Sequence, residues 1–448
     1  MTVNRQKIST NRRVSMTNVD VQEFGPSSRS PSALYGLPKD VVFCRNCVIS
    51  NQRPTSTIEF RHTESSRKST INFDVEGVCD ACRLAEEKRE TIDWQQREDE
   101  LRDLCDRNRK SDGSYDCVVP GSGGKDSFFA SHVLKEKFGM NPITVTWSPH
   151  IYTDWGWDNF QSWIQACSDN YRITPNTKIH RLVTRMAVEN LFHPFQPFMF
   201  GQKSLAPRVA SLLNIPLVFY GENEAEYGNP IEDVNSAKRE SSYFSSNPDS
   251  TIYIGGISVG EWREEFGFSN ADLSLYLPIS TEEVEEQKIE VHYLGYYLSW
   301  HPQGAYYYAV DHGEFLASPE RTPGTYSKYN SIDDKMDDLH YYATYIKFGI
   351  GRATYDAAQE IRNKEITREE GVRLVRKYDG EYPERFAGEL FEYLSIPKDE
   401  YPTESATFEQ PIMNREYFLE LADKFRSPHL WKWDRGKWKL RHTVWQEK

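Results

Sequence analysis

Between Asp116 and Gly228 the apolar positions follow two alternating rhythms. Short apolar runs of strand length fall at Asp116–Pro120, Pro142–Trp147, Lys178–Leu182 and Pro216–Tyr220. Segments with apolar positions three and four apart lie between and after them, and predict helices at Ser127–Phe138, Trp157–Tyr171, Arg185–Leu191 and Ser204–Leu213. In the first of these, Phe129, Val133, Leu134 and Phe138 share one face. This alternation predicts an α/β fold: a doubly wound, mainly parallel sheet with helices on both faces and ligands at the carboxyl ends of the strands.

Outside this block the pattern changes. Residues 1–40 are polar and rich in Ser and Asn, which predicts a disordered tail. A small module with two cysteine pairs spans 41–84, and a charged helical connector with few apolar positions (Ile92, Leu101, Leu104) spans 85–115. The nucleotide-domain candidate runs from 116 to 280, with a polar, serine-rich stretch at 229–275 that predicts a mobile insertion. Residues 281–448 read as mainly helical and aromatic, with Tyr293–Trp300, Tyr306–Tyr308 and Leu339–Tyr345 as candidates for a packed accessory domain or a substrate wall. Two amphipathic helices, Ala353–Asn363 and Thr367–Tyr378, follow a glycine hinge at Gly349 and Gly351.

Composition narrows the function classes. With 38% hydrophobic and 13% aromatic residues, the 448-residue chain can bury a sizeable core. The formal charge of −13 and the absence of a long basic stripe argue against a nucleic-acid substrate, whose phosphates require clustered Lys and Arg. No apolar run approaches the ~20 residues of a membrane span. The first residues lack the apolar core of a signal peptide, and seven cysteines, four of them in two CxxC pairs, fit a reducing cytoplasm with metal binding better than a disulfide framework.

The densest chemistry sits at DCVVPGSGGKDS, residues 116–127. An apolar run ends in a glycine turn, Gly121-Ser122-Gly123-Gly124, and a helix begins at Lys125, Asp126 and Ser127. Backbone N–H groups and the helix dipole converge on such a turn, and residues without a Cβ let an anion come close. Lys125 adds a point charge, Asp126 a magnesium ligand, and Ser122 and Ser127 hydroxyl donors. The spacing differs from the Walker loop, which needs four residues between its first glycine and its Gly-Lys pair. SGGKDS resembles the PP-loop of the ATP pyrophosphatase superfamily, which implies ATP with pyrophosphate held in the glycine turn. Trp147, at the carboxyl end of the second predicted strand, is expected to flank the nucleotide.

Cys44 and Cys47 form one CxxC pair, Cys79 and Cys82 another. Two such knuckles close a tetrahedral four-sulfur site, for which a structural Zn²⁺ is the natural occupant and an iron–sulfur cluster the alternative. The acidic surroundings (Glu76, Asp80, Glu86, Glu87) do not support a nucleic-acid ribbon. Further along, an apolar strand runs directly into Gly221-Glu222-Asn223-Glu224-Ala225-Glu226. In a doubly wound sheet this loop faces the ligand, making Glu222 and Glu226 candidates to hold Mg²⁺ or position an amine, and Asn223 a donor to a developing oxyanion. A solvated acidic loop is the competing reading. Lys203 and Arg208 beside a predicted helix are candidate phosphate or carboxylate contacts, with an ordinary charged face equally consistent.

Taken together, CRNCVISNQRPTSTIEF, GVCDACR, PGSGGKDS, FYGENEAEYG and the block from RTPGTYSKYNSIDDKMDDLHYYATYIKFGIGRATYDAAQEIRNKEITREEGVRLVRKYDGEYP resemble the N-acetyl sugar amidotransferases of bacterial surface-polysaccharide and flagellin-glycan biosynthesis. The likeness runs from about Val41 to Tyr401. It implies an ATP-dependent conversion of a sugar acetamido group to an acetamidino group through an adenylylated amide. The ammonia source is expected outside the chain: residue 2 is Thr rather than Cys, and no cysteine sits in a glycine-flanked elbow. The resemblance implies partner subunits similar to the glutaminase and cyclase halves of imidazole glycerol phosphate synthase. Two other functions compete. A tRNA-modifying thiolase or ligase of the same superfamily would need basic surface and a catalytic cysteine pair. A zinc-dependent scaffold with a degenerate nucleotide site is opposed by the intact Lys125, Asp126 and Ser127.

Overall fold

The computed structural model describes residues 22–27, 31–166, 168–222, 224–229, 236–247, 249–402 and 410–446. Its central sheet is built from β1 (Cys117–Pro120), β2 (Pro142–Trp147), β3 (Asn170–Ile173), β4 (Leu217–Tyr220) and β5 (Glu290–Tyr293). All pairings are parallel, and the spatial order is β3-β2-β1-β4-β5. The chain leaves β1 toward β2 on one side and returns to place β4 on the other, with Val118 opposite Val218. The turns after β1 and β4 therefore open beside each other at the switch point of the sheet, where α/β folds bind ligands.

Helices α1 (Asp80–Glu90) and α2 (Trp94–Asn108) precede the sheet, and α3 (Lys125–Glu136), α4 (Asp154–Ala166), α5 (Thr177–Leu191) and α6 (Gln196–Leu212) are threaded through it. The α/β reading holds, but one strand moves. Lys178–Leu182, expected as a strand, lies in α5, where Ile179, Leu182, Val183 and Met186 are buried at helical spacing and Asn176 caps Lys178 N–H. The third strand is instead Asn170–Ile173, which begins in the last two residues of the helix predicted at Trp157–Tyr171. It carries no fully buried residue and Tyr171 is exposed, so this edge strand lacks the apolar pattern that marks the others.

Two boundaries also shift. β5 belongs to the central sheet although it lies beyond residue 280, so the α/β domain extends past the expected limit. The described part of 229–275 is packed rather than loose: Trp262, Phe266, Phe268 and Leu273 are buried, and the indole of Trp262 donates to Ile254 O at 2.9 Å. Residues 230–235 and 248 of that stretch lie outside the described residues. Within the expected tail, Phe24 and Leu37 are buried. Phe24 meets the edge of Trp438 at 5.0 Å, and its carbonyl accepts from Trp433 N–H.

The C-terminal region contains α7 (Pro302–Gly313), α8 (Asp337–Phe348), α9 (Arg352–Arg362), α10 (Arg368–Tyr378), α11 (Ala387–Leu394) and α12 (Arg415–Lys424). A β-hairpin of β6 (Trp431–Asp434) and β7 (Lys437–Leu440) follows. Gly349 ends α8 in the left-handed region at φ 68°, and Gly351 caps α9. A Cβ on Gly351 would lie 2.6 Å from the carboxyl carbon of Asp379, which accepts from the N–H groups of Gly351 and Thr354 at 3.1 Å each. Among the described residues, no helix is long and apolar enough to cross a membrane.

Candidate active site

At the switch point lies a cavity of about 460 Å³, lined by Pro120 to Ser127 on one side. The glycines of the turn differ in what forces them. A Cβ on Gly121 would fall 2.1 Å from Cβ of Ser127, and Gly123 has φ 90° and would meet Cα of Phe160 at 2.5 Å. Gly124 caps α3, and a Cβ there would touch no protein atom within 4 Å: it faces the cavity. The first two glycines let the turn close, and the third leaves the helix N-terminus bare toward a ligand.

Lys125 and Asp126 begin α3 and form an ion pair. Lys125 is buried beneath Trp300, its Nζ 5.7 Å from the ring centroid, and the indole of Trp300 donates to Asp126 Oδ1 at 2.9 Å. Trp300 is in turn held by its carbonyl, which accepts from Lys88 Nζ at 2.8 Å, and Lys88 also pairs with Glu226. Asp126 thus uses one oxygen on Trp300 and the other on Lys125. If the cavity takes ATP–Mg²⁺, Trp300→Phe, which keeps the ring and removes the donor, should raise the KM for it about tenfold with a smaller effect on kcat. Unchanged kinetics in that variant would remove Trp300 from the site.

Glu222 lines the cavity beside Asp126. Burial first, then the Asp126 carboxylate, pushes the Glu222 carboxyl up from 4.5 to about 8. The ligand-free folded chain retains a proton there that the unfolded chain loses, so this stabilisation is present at low pH and fades as pH rises from 4.5 toward 8. Glu222→Gln, which mimics the protonated acid, should therefore melt above wild type at about pH 8.5 and not near pH 5. Equal differences in melting temperature at the two pH values would contradict this. Two adjacent hard-oxygen ligands of this kind fit Mg²⁺.

The opposite walls carry charges that local sequence does not group. Arg53, Lys203 and Arg239 form a cationic side; Arg239 pairs with Glu224 and stacks 4.4 Å from the ring centroid of Tyr220. Asp333, Asp334 and Asp337 form an acidic side. Asp334 accepts from the His150 ring and backbone at 2.7 Å each. Burial, reinforced by Asp333 and Asp334, pushes the Asp337 carboxyl well above the ordinary carboxylate range. Tyr329, Ser331 and Tyr341 complete this wall.

The expected site residues divide. Gly121, Ser122, Gly123, Gly124, Lys125, Asp126, Ser127 and Glu222 meet at the cavity, and Lys203 joins them. Trp147 does not line it: its ring covers Gly201 of α6, where a Cβ would sit 2.3 Å away, and it serves the sheet–helix core. Glu226 turns away to Lys88, because the short helical turn Glu224–Tyr227 sends Glu224 inward in its place. Arg208 donates to Ser274 O and Leu277 O, away from the cavity. Asn223 lies outside the described residues.

Cys44, Cys47, Cys79 and Cys82 are buried and converge, their sulfurs all within 4.8 Å of one another. The Cys44–Cys82 and Cys47–Cys79 separations are both 3.8 Å. A tetrahedral ion with Zn–S bonds of about 2.3 Å requires sulfurs about 3.8 Å apart. Backbone N–H groups of Cys47 and Cys79 point at the Cys44 sulfur at 3.5 and 3.3 Å. The four-cysteine cluster is compatible with zinc, and its sulfurs are closer than ligation to separate irons would place them. The module packs on α9 and α10: Ile49 and Ile71 join Ile361 and Val375 in one cluster, and Arg368 donates to Cys47 O at 3.1 Å and Cys44 O at 3.2 Å. Its helix α1 starts at the second knuckle and carries Lys88 to Trp300, linking the metal module to the cradle.

Residues 323–444 match the family model of the LPS biosynthesis protein WbpG-like C-terminal domain. That segment contains α8 to β7 and supplies Tyr329, Ser331, Asp333, Asp337 and Tyr341 to the cavity. A curated relative, an uncharacterized protein of Methanocaldococcus jannaschii, is 32% identical over 84 residues, or 19% of this chain. The chain spans 29% of that relative's length. Among solved structures, NMN synthetase from Francisella tularensis aligns with 44% of this chain and 93% of its own at 13% identity and a TM-score of 0.25. A predicted subunit of tRNA methyltransferase from Methanocaldococcus jannaschii aligns with 43% of this chain and 74% of its own, at 14% identity and a TM-score of 0.22. Scores this low leave the fold class to rest on the parallel sheet itself.

Proposed function

We propose that this protein is an ATP-dependent sugar amidotransferase of bacterial surface-glycan biosynthesis, converting an acetamido group to an acetamidino group. One observation carries the reading: a single cavity is walled by the glycine cradle on one side and by the WbpG-like segment on the other. The glycine turn and α3 N-terminus suit the pyrophosphate of ATP, while Asp337 and the hydroxyls of Tyr329, Ser331 and Tyr341 suit a polyhydroxylated substrate.

An amide carbonyl is a poor electrophile, so its oxygen first attacks the α-phosphorus of ATP and pyrophosphate leaves into the cradle. Ammonia then adds to the activated carbon, and AMP departs with the former carbonyl oxygen. Lys125 meets the charge that grows on the leaving pyrophosphate, and Asp126 and Glu222 would hold a magnesium ion, which would neutralise phosphate charge there. The protein's share is positioning and charge stabilisation. A reaction that consumes ATP belongs in the cytoplasm.

Nitrogen is supplied by a separate glutaminase, with a cyclase-like subunit delivering ammonia. The purified chain should then use high ammonium but not glutamine, and its ammonium-driven rate should rise from about pH 7 to 9 as the neutral amine fraction grows. Adding a partner glutaminase should make glutamine a donor and flatten the pH profile. Glutamine-dependent turnover by the chain alone would show a glutaminase site within it.

A further inference from the structure

A second cluster of ligating side chains lies apart from the cysteine module. Glu59 and His62 sit on a short helical turn, Glu59–Arg61 and the residue that caps it. His193 sits at the corner between α5 and α6, immediately after Phe192, whose left-handed backbone (φ 47°) turns the chain. The turn and the corner are locked together. Phe60 is buried against Phe200, and the side chain of Gln196 donates to Glu59 O at 2.9 Å while accepting from Gly255 N–H at 2.9 Å.

Three atoms converge there: Glu59 Oε2, His62 Nδ1 and His193 Nε2, all within 4.8 Å of one another. The carboxylate oxygen is 3.5 Å from the His62 nitrogen and 3.7 Å from the His193 nitrogen. Both separations exceed hydrogen-bond length, which for N–H···O ends near ~3.2 Å. Glu59 and His62 are 3% and 5% exposed, and neither Glu59 Oε2 nor His62 Nδ1 has a hydrogen-bond partner. A buried carboxylate oxygen and a buried ring nitrogen left facing each other in this way are costly. Glu59 Oε1, by contrast, accepts from the Thr57 hydroxyl at 3.1 Å, which fixes the carboxylate's orientation.

We propose that Glu59, His62 and His193 form a second metal site, for a zinc-class divalent cation. A tetrahedral ion with bonds of about 2.0–2.1 Å to nitrogen and oxygen holds its ligands about 3.3–3.4 Å apart. The observed 3.5 and 3.7 Å need only a small closure. Two imidazoles and one carboxylate are a donor set that zinc uses with a fourth position left open. The ion would sit in the partition between two cavities. His62 lines one of about 560 Å³, and His340, stacked on His193 with ring centroids 5.4 Å apart, lines the candidate active site.

The test is metal stoichiometry and spectroscopy on the full chain. Saturated with Zn²⁺ and freed of excess by gel filtration, wild type should carry two ions per chain, and His62→Gln and His193→Gln one each. Loaded with Co²⁺, wild type should show weak d–d bands of a nitrogen–oxygen site beside the intense thiolate charge-transfer band of the cysteine site. The two variants should lose the former and keep the latter. Saturation of wild type at one ion with a purely thiolate spectrum, or two ions retained in folded variants, would overturn the proposal. Where a variant fails to fold, the wild-type Co²⁺ spectrum alone decides, by the presence or absence of the non-thiolate bands.

Discussion

Lys125→Ala should abolish measurable amidine formation while leaving the fold and the bound metal unchanged. Lys125 is held at the N-terminus of α3, buried beneath Trp300, with its charge balanced by Asp126. Losing one charge-assisted hydrogen bond to a phosphate costs about 1.5–3 kcal/mol, roughly 10- to 150-fold in rate. The loss is larger if the contact tightens as pyrophosphate leaves. Lys125→Arg should not restore activity, because a planar guanidinium does not fit the pocket shaped around Nζ by Asp126 and the indole. Trp300 continues to hold Asp126 Oδ1 in the alanine variant, so circular dichroism and melting temperature should change little. Steady-state kinetics with ATP, magnesium, ammonium and an acetamido sugar provide the check. Wild-type turnover with unchanged ATP affinity would remove Lys125 from phosphate binding.

Cys44→Ser should release the metal of the cysteine module and destabilise the whole chain. The Cys44 sulfur receives two backbone N–H groups and stands 3.8 Å from the Cys82 sulfur, at the centre of the knuckle geometry. Structural zinc sites contribute about 10–16 kcal/mol of apparent binding energy in small domains. Removing one of four ligands forfeits part of this, and the buried cluster that docks the module on α9 and α10 loosens with it. Activity should fall as well, because α1 carries Lys88 to the carbonyl of Trp300. Atomic emission on wild type should find zinc at the cysteine module and no visible absorption, and the variant should lose that ion and melt several degrees lower. Iron with a coloured spectrum, or an unchanged metal content and melting curve in the variant, would reject the structural-zinc reading.

The parts of the site that sequence exposes are those built from contiguous residues. The glycine turn is legible because a strand end, three glycines and a helix start follow one another within 117–127, and each needs a particular backbone or side chain. The cysteine pairs are legible for the same reason. Arg53, Arg239 and Asp337 are not, because each reaches the cavity from a distant element, and neither is Trp300, which holds Asp126 from behind; nothing local distinguishes any of them from a core or surface residue. Glu226 shows the limit of local reasoning: three acids alternate along one loop, and only the helical turn at Glu224–Tyr227 decides which two face inward. The edge strand Asn170–Ile173 escaped detection because its exposed faces need no apolar residues, while α5 offered a short apolar run that resembled a strand. Trp147 was placed correctly at a strand end but on the side that α6 covers.

The central claim is that the amide oxygen of the sugar is adenylylated in the cavity before nitrogen enters. An acetamido sugar labelled with ¹⁸O in its carbonyl, incubated with this protein, ATP, magnesium and ammonium, tests it directly. The account predicts one labelled oxygen in each AMP released, unlabelled pyrophosphate, and an amidine product. AMP without label, or ATP cleaved to ADP and phosphate instead, would contradict it.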